Sequence, residues 1–245
     1  MTDSSDSKRQ QILALVKDYI DEEHRAAPYE GGVSSTPVNG RVYDAADVCS
    51  LVESALDFWL TTGPFNEVFE KKLSTFIGVP HMLTCNSGSS ANLLAVTALT
   101  SHLLKEKALK PGDEVITCAT GFPTTVNPIL MNGLVPVFVD VDIPTYNADV
   151  SQLEAALSPK TKAIVLAHTL GNPFDLDAIM AFAKQHDLLV VEDSCDALGA
   201  TYRGKMVGTF GDIGTLSFYP AHHITTGEGG AVFARRSVVK RALES

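Results

Sequence analysis

The chain has 245 residues, 45% of them hydrophobic and 20% charged, a globular balance with ample apolar material for a core. Its net charge of −10, with no run of Lys or Arg, argues against nucleic acid or an anionic membrane surface as a partner. The polar first eight residues lack the apolar segment of a secretory signal, and no apolar run approaches the roughly 20 residues of a membrane helix, so a cytoplasmic protein is expected.

In chain order, residues 9–22 place Ile12, Leu15, Val16, Tyr19 and Ile20 at helical spacing, and the acidic run Asp21-Glu22-Glu23 favours packing on protein over lying on a membrane. Residues 29–40 are rich in Gly, Ser and Pro and read as an extended arm, so 1–40 is expected as an N-terminal helix and arm and 41–245 as the main domain. Helices are expected over 45–60 and 65–76, parted by Thr61-Thr62-Gly63-Pro64, where Gly ends one helix and Pro opens the next. From His81 onward short apolar runs alternate with helical ones. Strands are expected at 82–85, 114–118, 135–139, 163–168, 188–192, 213–218 and 231–234, and helices notably at 91–104, 150–157 and 176–186. That alternation predicts an α/β fold with a mostly parallel seven-stranded sheet covered on both faces.

The chemistry-bearing residues lie at strand ends, where α/β folds open their ligand crevice. Cys85-Asn86-Ser87-Gly88-Ser89-Ser90 joins a strand to a helix; it is either an ordinary N-cap or a cup in which backbone N–H groups meet an anion. Glu192-Asp193 ends a buried strand, where a carboxylate is costly unless paired; it either caps the next helix or meets a ligand. Phe122, after the strand at 114–118, is core or a stacking platform. The strand at 213–218 runs into Ser217-Phe218-Tyr219-Pro220-Ala221-His222-His223 and then the corner Thr226-Gly227-Glu228-Gly229-Gly230. The two histidines are polar turn residues, or one of them moves protons near neutral pH. The four cysteines (Cys49, Cys85, Cys118, Cys195) show neither paired C-x-x-C zinc spacing nor disulfide density, and only Cys195 lies beside Asp193.

Together these motifs resemble the DegT/DnrJ/EryC1/StrS family of sugar aminotransferases, which use pyridoxal phosphate and carry Ser-Phe-x-x-x-Lys followed by a Thr and then Gly-Glu-Gly-Gly. The resemblance covers nearly the whole chain. It implies an aspartate-aminotransferase-like large domain, with the family's small C-terminal domain missing after Ser245 and a homodimer as the assembly. It also implies that Gly88 and Ser89, with Ser217, hold the cofactor phosphate, that Phe122 stacks on the ring, and that Asp193 pairs with the ring nitrogen. Asp193 precedes His222 by 29 positions, similar to the family's aspartate–lysine interval.

His222 stands where that lysine belongs, so no covalent tether for the cofactor can form there. This departure is similar to the sugar 3-dehydrases of the family, which use pyridoxamine phosphate with a catalytic histidine. The runs Ser-Gly-Ser-Ser-Ala-Asn-Leu-Leu-Ala, His168-Thr169-Leu170-Gly171-Asn172-Pro173-Phe174 and residues 217–223 look most like the CDP-4-dehydro-6-deoxyglucose 3-dehydrases of lipopolysaccharide (O-antigen) dideoxysugar synthesis. That likeness implies a CDP-4-keto-6-deoxyhexose as substrate and His222 as the residue that takes a proton from the cofactor's C4′ carbon. It also implies a [2Fe-2S] cluster with Cys195 as one ligand and three more beyond Ser245, and an NADH-dependent iron-sulfur flavoprotein reductase as electron donor. Asp196 takes the place of a glutamine usual in the aminotransferases and is expected at the cofactor. The alternatives are a cluster-free GDP-4-keto-6-deoxymannose 3-dehydratase, an ordinary sugar aminotransferase, which the missing lysine opposes, and an inactive truncated fragment.

Overall fold

The computed structural model describes residues 3–23, 28–36 and 42–245. The chain divides into two compact units, residues 1–68 and 69–245. In the first, helix α1 (Asp3–Glu23) packs on α2 (Ala45–Asp57). Arg9 donates to Asp57 Oδ1 at 2.5 Å, and Cys49 Sγ donates to the Leu13 carbonyl at 3.5 Å. Asp44 caps α2 by accepting from the N–H groups of Ala46 and Asp47, and Asp47 returns the bond to the Asp44 N–H. The helix stops at Asp57, short of the expected residue 60, because Phe58 turns left-handed at φ 50°. Of the expected arm, residues 28–36 form turns and irregular backbone; 37–40 lie outside the described residues. Helix α3 (Pro64–Ile77) opens on its proline as the sequence predicts.

The second unit is built on the expected sheet. Its strands are β1 (His81–Cys85), β2 (Glu114–Cys118), β3 (Val135–Val139), β6 (Thr161–Ala167), β7 (Leu189–Asp193), β10 (Ile213–Ser217) and β11 (Gly230–Ala234), in the order β1-β11-β10-β7-β6-β2-β3. Pairings from β10 through β3 are parallel; β11 runs antiparallel to both its neighbours. Two small hairpins, β4 (Val141–Asp142) with β5 (Asn147–Ala148) and β8 (Thr201–Tyr202) with β9 (Lys205–Met206), sit outside it. Their strands are too short to show any periodicity.

Helices α4 (Gly88–Leu99), α5 (Pro123–Met131), α6 (Leu153–Ala156), α7 (Leu176–Gln185) and α8 (Ser237–Glu244) complete the unit. The helix expected over 91–104 ends at Leu99, and a separate 3-10 turn, His102–Lys107, is capped by Ser101. The stretch 150–157 holds only a 3-10 turn and the single turn of α6. Helix α5 carries two prolines, Pro123 in its first turn, where the missing N–H costs nothing, and Pro128 in its interior.

Strands β7, β10 and β11 are buried at every position, polar residues such as Glu192, Asp193, Thr215 and Ser217 included. Alternation along β7 divides the core. Leu189 and Val191 join Ala95, Val96, Leu99, Val165 and Ile213 on the α4 side; Val190 joins Ile116, Ile164, Phe174 and Ile179 on the other. The same period of two sends the carboxylates that end β7 to opposite faces. Asp193 follows Val191 toward α4, and Glu192 follows Val190 away from it.

Candidate active site

A cavity of about 830 Å³ opens at the C-terminal ends of β6, β7 and β10. Its walls bring together Gly88, Ser89, Phe122, Asp193, Cys195, Asp196, Ser217 and His222, eight residues the sequence singled out from four separate stretches. The cavity has the position expected of a ligand site in an open α/β sheet.

Two glycines make this convergence possible. A Cβ on Gly88 would collide with the Cβ of Ser217, so only glycine lets the start of α4 rest against the end of β10. A Cβ on Gly230 would collide with the Ser87 carbonyl carbon and oxygen, so the turn before α4 also lies flush against β11. Ser87 caps α4, its Oγ accepting from the Ser90 N–H at 3.0 Å. Gly88, Ser89 and Ser217 all line the cavity, beside the positive end of the α4 dipole.

Asp193 is only 5% exposed and is held by named donors. Its Oδ2 accepts from Asn92 Nδ2 and from Thr125 Oγ1, each at 2.7 Å, and its Oδ1 accepts from the Cys195 N–H at 3.2 Å. Asn92 Oδ1 in turn accepts from Thr215 Oγ1 at 2.7 Å. Sequence reasoning missed Asn92, Thr125 and Thr215. The signal was a lone polar residue inside the apolar run Ala91-Asn92-Leu93-Leu94-Ala95, and a threonine inside an otherwise apolar strand.

His222 sits in the turn after β10, its N–H donating to the Tyr219 carbonyl at 2.9 Å. Its Nδ1 lies 3.2 Å from Asp196 Oδ1, and both side chains line the cavity. Phe122 stands at the N-terminus of α5, 70% exposed and against the same space, so it is not a core residue. Cys195 is partly buried; burial first, and then the neighbouring Asp193 carboxylate, hold its thiol well above the usual range.

No lysine or arginine lines the cavity among the described residues. Lys205 is turned elsewhere, its Nζ donating to the Thr209 carbonyl at 2.9 Å and lying 4.0 Å from the Phe210 ring centre. Behind the site, His168 also reaches the cavity, and its ring stacks on Phe174 with centroids 4.2 Å apart. Its Nε2 lies 3.1 Å from Glu192 Oε2. Glu192 is fully buried and further accepts from the N–H groups of Gly208, Phe210 and Gly211, at 2.7, 2.7 and 2.6 Å. It therefore ties the loop preceding β10 to β7. No group of three or more metal-ligating side chains occurs among the described residues. No described helix is long and apolar enough to cross a membrane.

The chain is 60% identical over 242 residues to the lipopolysaccharide biosynthesis protein RfbH of Salmonella typhimurium, covering 99% of this chain and 55% of that protein. It is 52% identical to a dTDP-4-dehydro-2,6-dideoxy-D-glucose 3-dehydratase of Saccharopolyspora spinosa, covering 97% of this chain and 51% of that one. Among solved structures, the E. coli GDP-4-keto-6-deoxy-D-mannose-3-dehydratase with bound hydrated PLP superposes with a TM-score of 0.80 at 35% identity, covering 86% of this chain and 54% of that one. The chain thus spans about half the length of these relatives. The model of the DegT/DnrJ/EryC1/StrS aminotransferase family matches residues 43–244, and the chain belongs to that family.

Proposed function

We propose that this chain carries the cofactor-binding part of a nucleotide-sugar 3-dehydrase, which removes the C3 hydroxyl of a nucleotide-linked 4-keto-6-deoxyhexose in dideoxysugar synthesis. The observation that carries this reading is His222: it lines the cavity paired with Asp196, in a family whose aminotransferases place a lysine there, and no lysine lines that cavity among the described residues. Two of the relatives named above are 3-dehydratases, which favours dehydration over amino transfer.

The residues present fit a pyridoxal-type phosphate cofactor. A buried carboxylate keeps an acceptor toward the cavity, and a glycine–serine cradle at a helix N-terminus suits a phosphate. When bound, pyridoxamine phosphate supplies an amine for the sugar's 4-keto group and a ring that accepts electrons. Gly88, Ser89 and Ser217 would hold its phosphate, Phe122 would cover the ring, and Asp193 would face the ring nitrogen. Asp196, accepting from Nδ1–H, would leave His222 Nε2 free to take the proton from the C4′ carbon. With no lysine lining the cavity among the described residues, the cofactor would be held by these non-covalent contacts alone.

The finer reading follows the same line. The sugar carries CDP, with GDP as the alternative; the assembly is a homodimer; and an NADH-dependent iron-sulfur flavoprotein reductase supplies electrons. The described residues do not form a metal cluster by themselves. If a [2Fe-2S] cluster is held, Cys195 is the cavity thiol placed to ligate it, with its other ligands outside the described residues.

The direct experiment incubates the protein with pyridoxamine phosphate and, in turn, CDP- and GDP-4-keto-6-deoxyhexose in deuterated water. Loss of water from the sugar with deuterium entering the cofactor's C4′ is the expected result. Amino transfer to the sugar would replace this reading with that of an aminotransferase.

A further inference from the structure

Resting on the cofactor reading above, we propose that Asn92 and Thr125 are positioning residues that clamp Oδ2 of Asp193 and leave Oδ1 as the one acceptor offered to a ring nitrogen.

The strand register starts the argument. Asp193 on β7 lies opposite Ala167 on β6 and Thr215 on β10, so Asp193 and Thr215 point to the same face of the sheet. That face is covered by α4, which brings Asn92, and flanked by the start of α5, which brings Thr125.

The donors can then be assigned one by one. An ionised carboxylate only accepts, so Asn92 must turn its Nδ2 toward Asp193, and Thr125 must donate its hydroxyl proton. Each bond is 2.7 Å long, and together they fill both lone pairs of Oδ2. Asn92 Oδ1 then faces Thr215, whose hydroxyl donates to it at 2.7 Å. That hydroxyl has one proton, so it has none left for Asp193 Oδ1, 3.5 Å away. Oδ1 accepts the Cys195 N–H at 3.2 Å, and the Cys195 thiol also bonds the Asp193 carboxylate. Oδ1 thus carries longer contacts than the 2.7 Å pair on Oδ2, and Asp193 lines the cavity.

A purely structural role explains these residues poorly. Asn92 is 3% exposed, Thr125 5% and Thr215 0%. Burying polar groups costs free energy unless they are paired, and a leucine and two valines would fill the same space without that cost. What the polar set adds is orientation. The end torsion of an aspartate is broad and two-fold, so an unclamped carboxylate could present either oxygen at a range of tilts. Two donors from two different helices on one oxygen fix its plane.

The test loads the purified protein with pyridoxal phosphate labelled with ¹⁵N in the ring. At one fixed pH, the ring-nitrogen shift and the dissociation constant are measured for wild type, Asn92→Leu, Thr125→Val and Thr215→Val. In wild type the shift should be that of a strongly hydrogen-bonded, protonated ring nitrogen. Asn92→Leu should move it toward the free pyridine value and weaken binding about tenfold, one lost hydrogen bond to a charged group. Thr125→Val should act in the same direction, and Thr215→Val, one bond further away, should act least. Wild-type shift and affinity in both Asn92→Leu and Thr125→Val would overturn the clamp while leaving the cofactor reading intact. A wild-type protein that binds no pyridoxal phosphate at millimolar concentration would overturn both. If Asn92→Leu does not fold, Thr125→Val decides the matter, since it exchanges one hydroxyl for a methyl of nearly the same volume.

Discussion

Asp196 Oδ1 stands 3.2 Å from His222 Nδ1, and both residues line the cavity. A carboxylate on one ring nitrogen fixes the tautomer and so decides which nitrogen is free for chemistry. Replacing His222 with Asn should therefore lower turnover by about 10²–10⁴, the usual worth of a general base. Asp196→Asn should give a smaller loss, because the amide can still orient the ring but cannot support its charge. Single-turnover rates of C3–O cleavage check both. Equal losses in the two variants would mean that Asp196 does more than orient His222.

The same histidine leads to a chemical prediction. Borohydride reduction of the cofactor-loaded protein should leave no pyridoxyl group on any lysine, since no lysine lines the cavity among the described residues and Lys205 is tied to the Thr209 carbonyl. Peptide mass spectrometry reads this directly. A single modified lysine would return the protein to the aminotransferases.

How much of this was legible in the sequence depended on what kind of signal each residue gave. The seven strands announced themselves because buried parallel strands are nearly continuous apolar runs, as in Ala163-Ile164-Val165-Leu166-Ala167. Helix α5 is less legible, since it carries Pro128 in its interior, although the N–H that proline lacks costs only one bond in a nine-residue helix. Within the site, His222, Asp193 and Ser217 stood out as polar residues at the tips of apolar strands. Asn92, Thr125 and Thr215 did not, because their meaning lies in a register that only the folded sheet supplies. The sequence singled out Asp193 but gave Glu192 no role of its own: adjacent carboxylates on one strand end up on opposite faces, one toward the cavity and one in the core.

That buried carboxylate sets a stability prediction. Glu192 accepts from the N–H groups of Gly208, Phe210 and Gly211, and His168 Nε2 lies within hydrogen-bonding distance. Glu192→Leu would strand one buried and two partly buried N–H groups, at about 1–3 kcal/mol for a buried one. Denaturant unfolding should show a loss of more than about 3 kcal/mol, enough to unfold a marginal protein. Glu192→Gln, which keeps the shape and part of the accepting capacity, should lose less. A Glu192→Leu variant of wild-type stability would show that the loop before β10 holds itself.

The cysteines give a pH prediction. Burial pushes the Cys118 thiol up to about 11, with Asp140 adding to it, and burial followed by Asp193 raises Cys195 well above the ordinary thiol range. Both should resist iodoacetamide at pH 8 in the native protein and react once it is unfolded. The sign for stability follows: a thiol whose folded pKa is raised contributes fully below its unfolded value near 9, and its contribution falls as pH climbs from there toward 11. Rapid native labelling of Cys195 at pH 8 would contradict the burial argued here.

A tight geometric constraint at the cavity is the contact between Gly88 and Ser217. A methyl group at position 88 would collide with the Cβ of Ser217 and lie 2.8 Å from its Oγ. Ser217 cannot retreat, because it is paired in β10 opposite Gly230, and Gly230 is itself pressed against Ser87. Overpacking of this kind typically costs about 1–3 kcal/mol, so Gly88→Ala should lower the thermal midpoint by several degrees. Adding Ser217→Gly removes both colliding atoms and should recover part of that loss, less the cost of a glycine in a buried strand. Cofactor affinity should not recover, because the serine hydroxyl is gone from the floor where the phosphate is proposed to sit. A double variant that regains stability without regaining pyridoxal phosphate binding would separate the packing role of this contact from its binding role. One that regains neither would place the strain elsewhere than at Ser217.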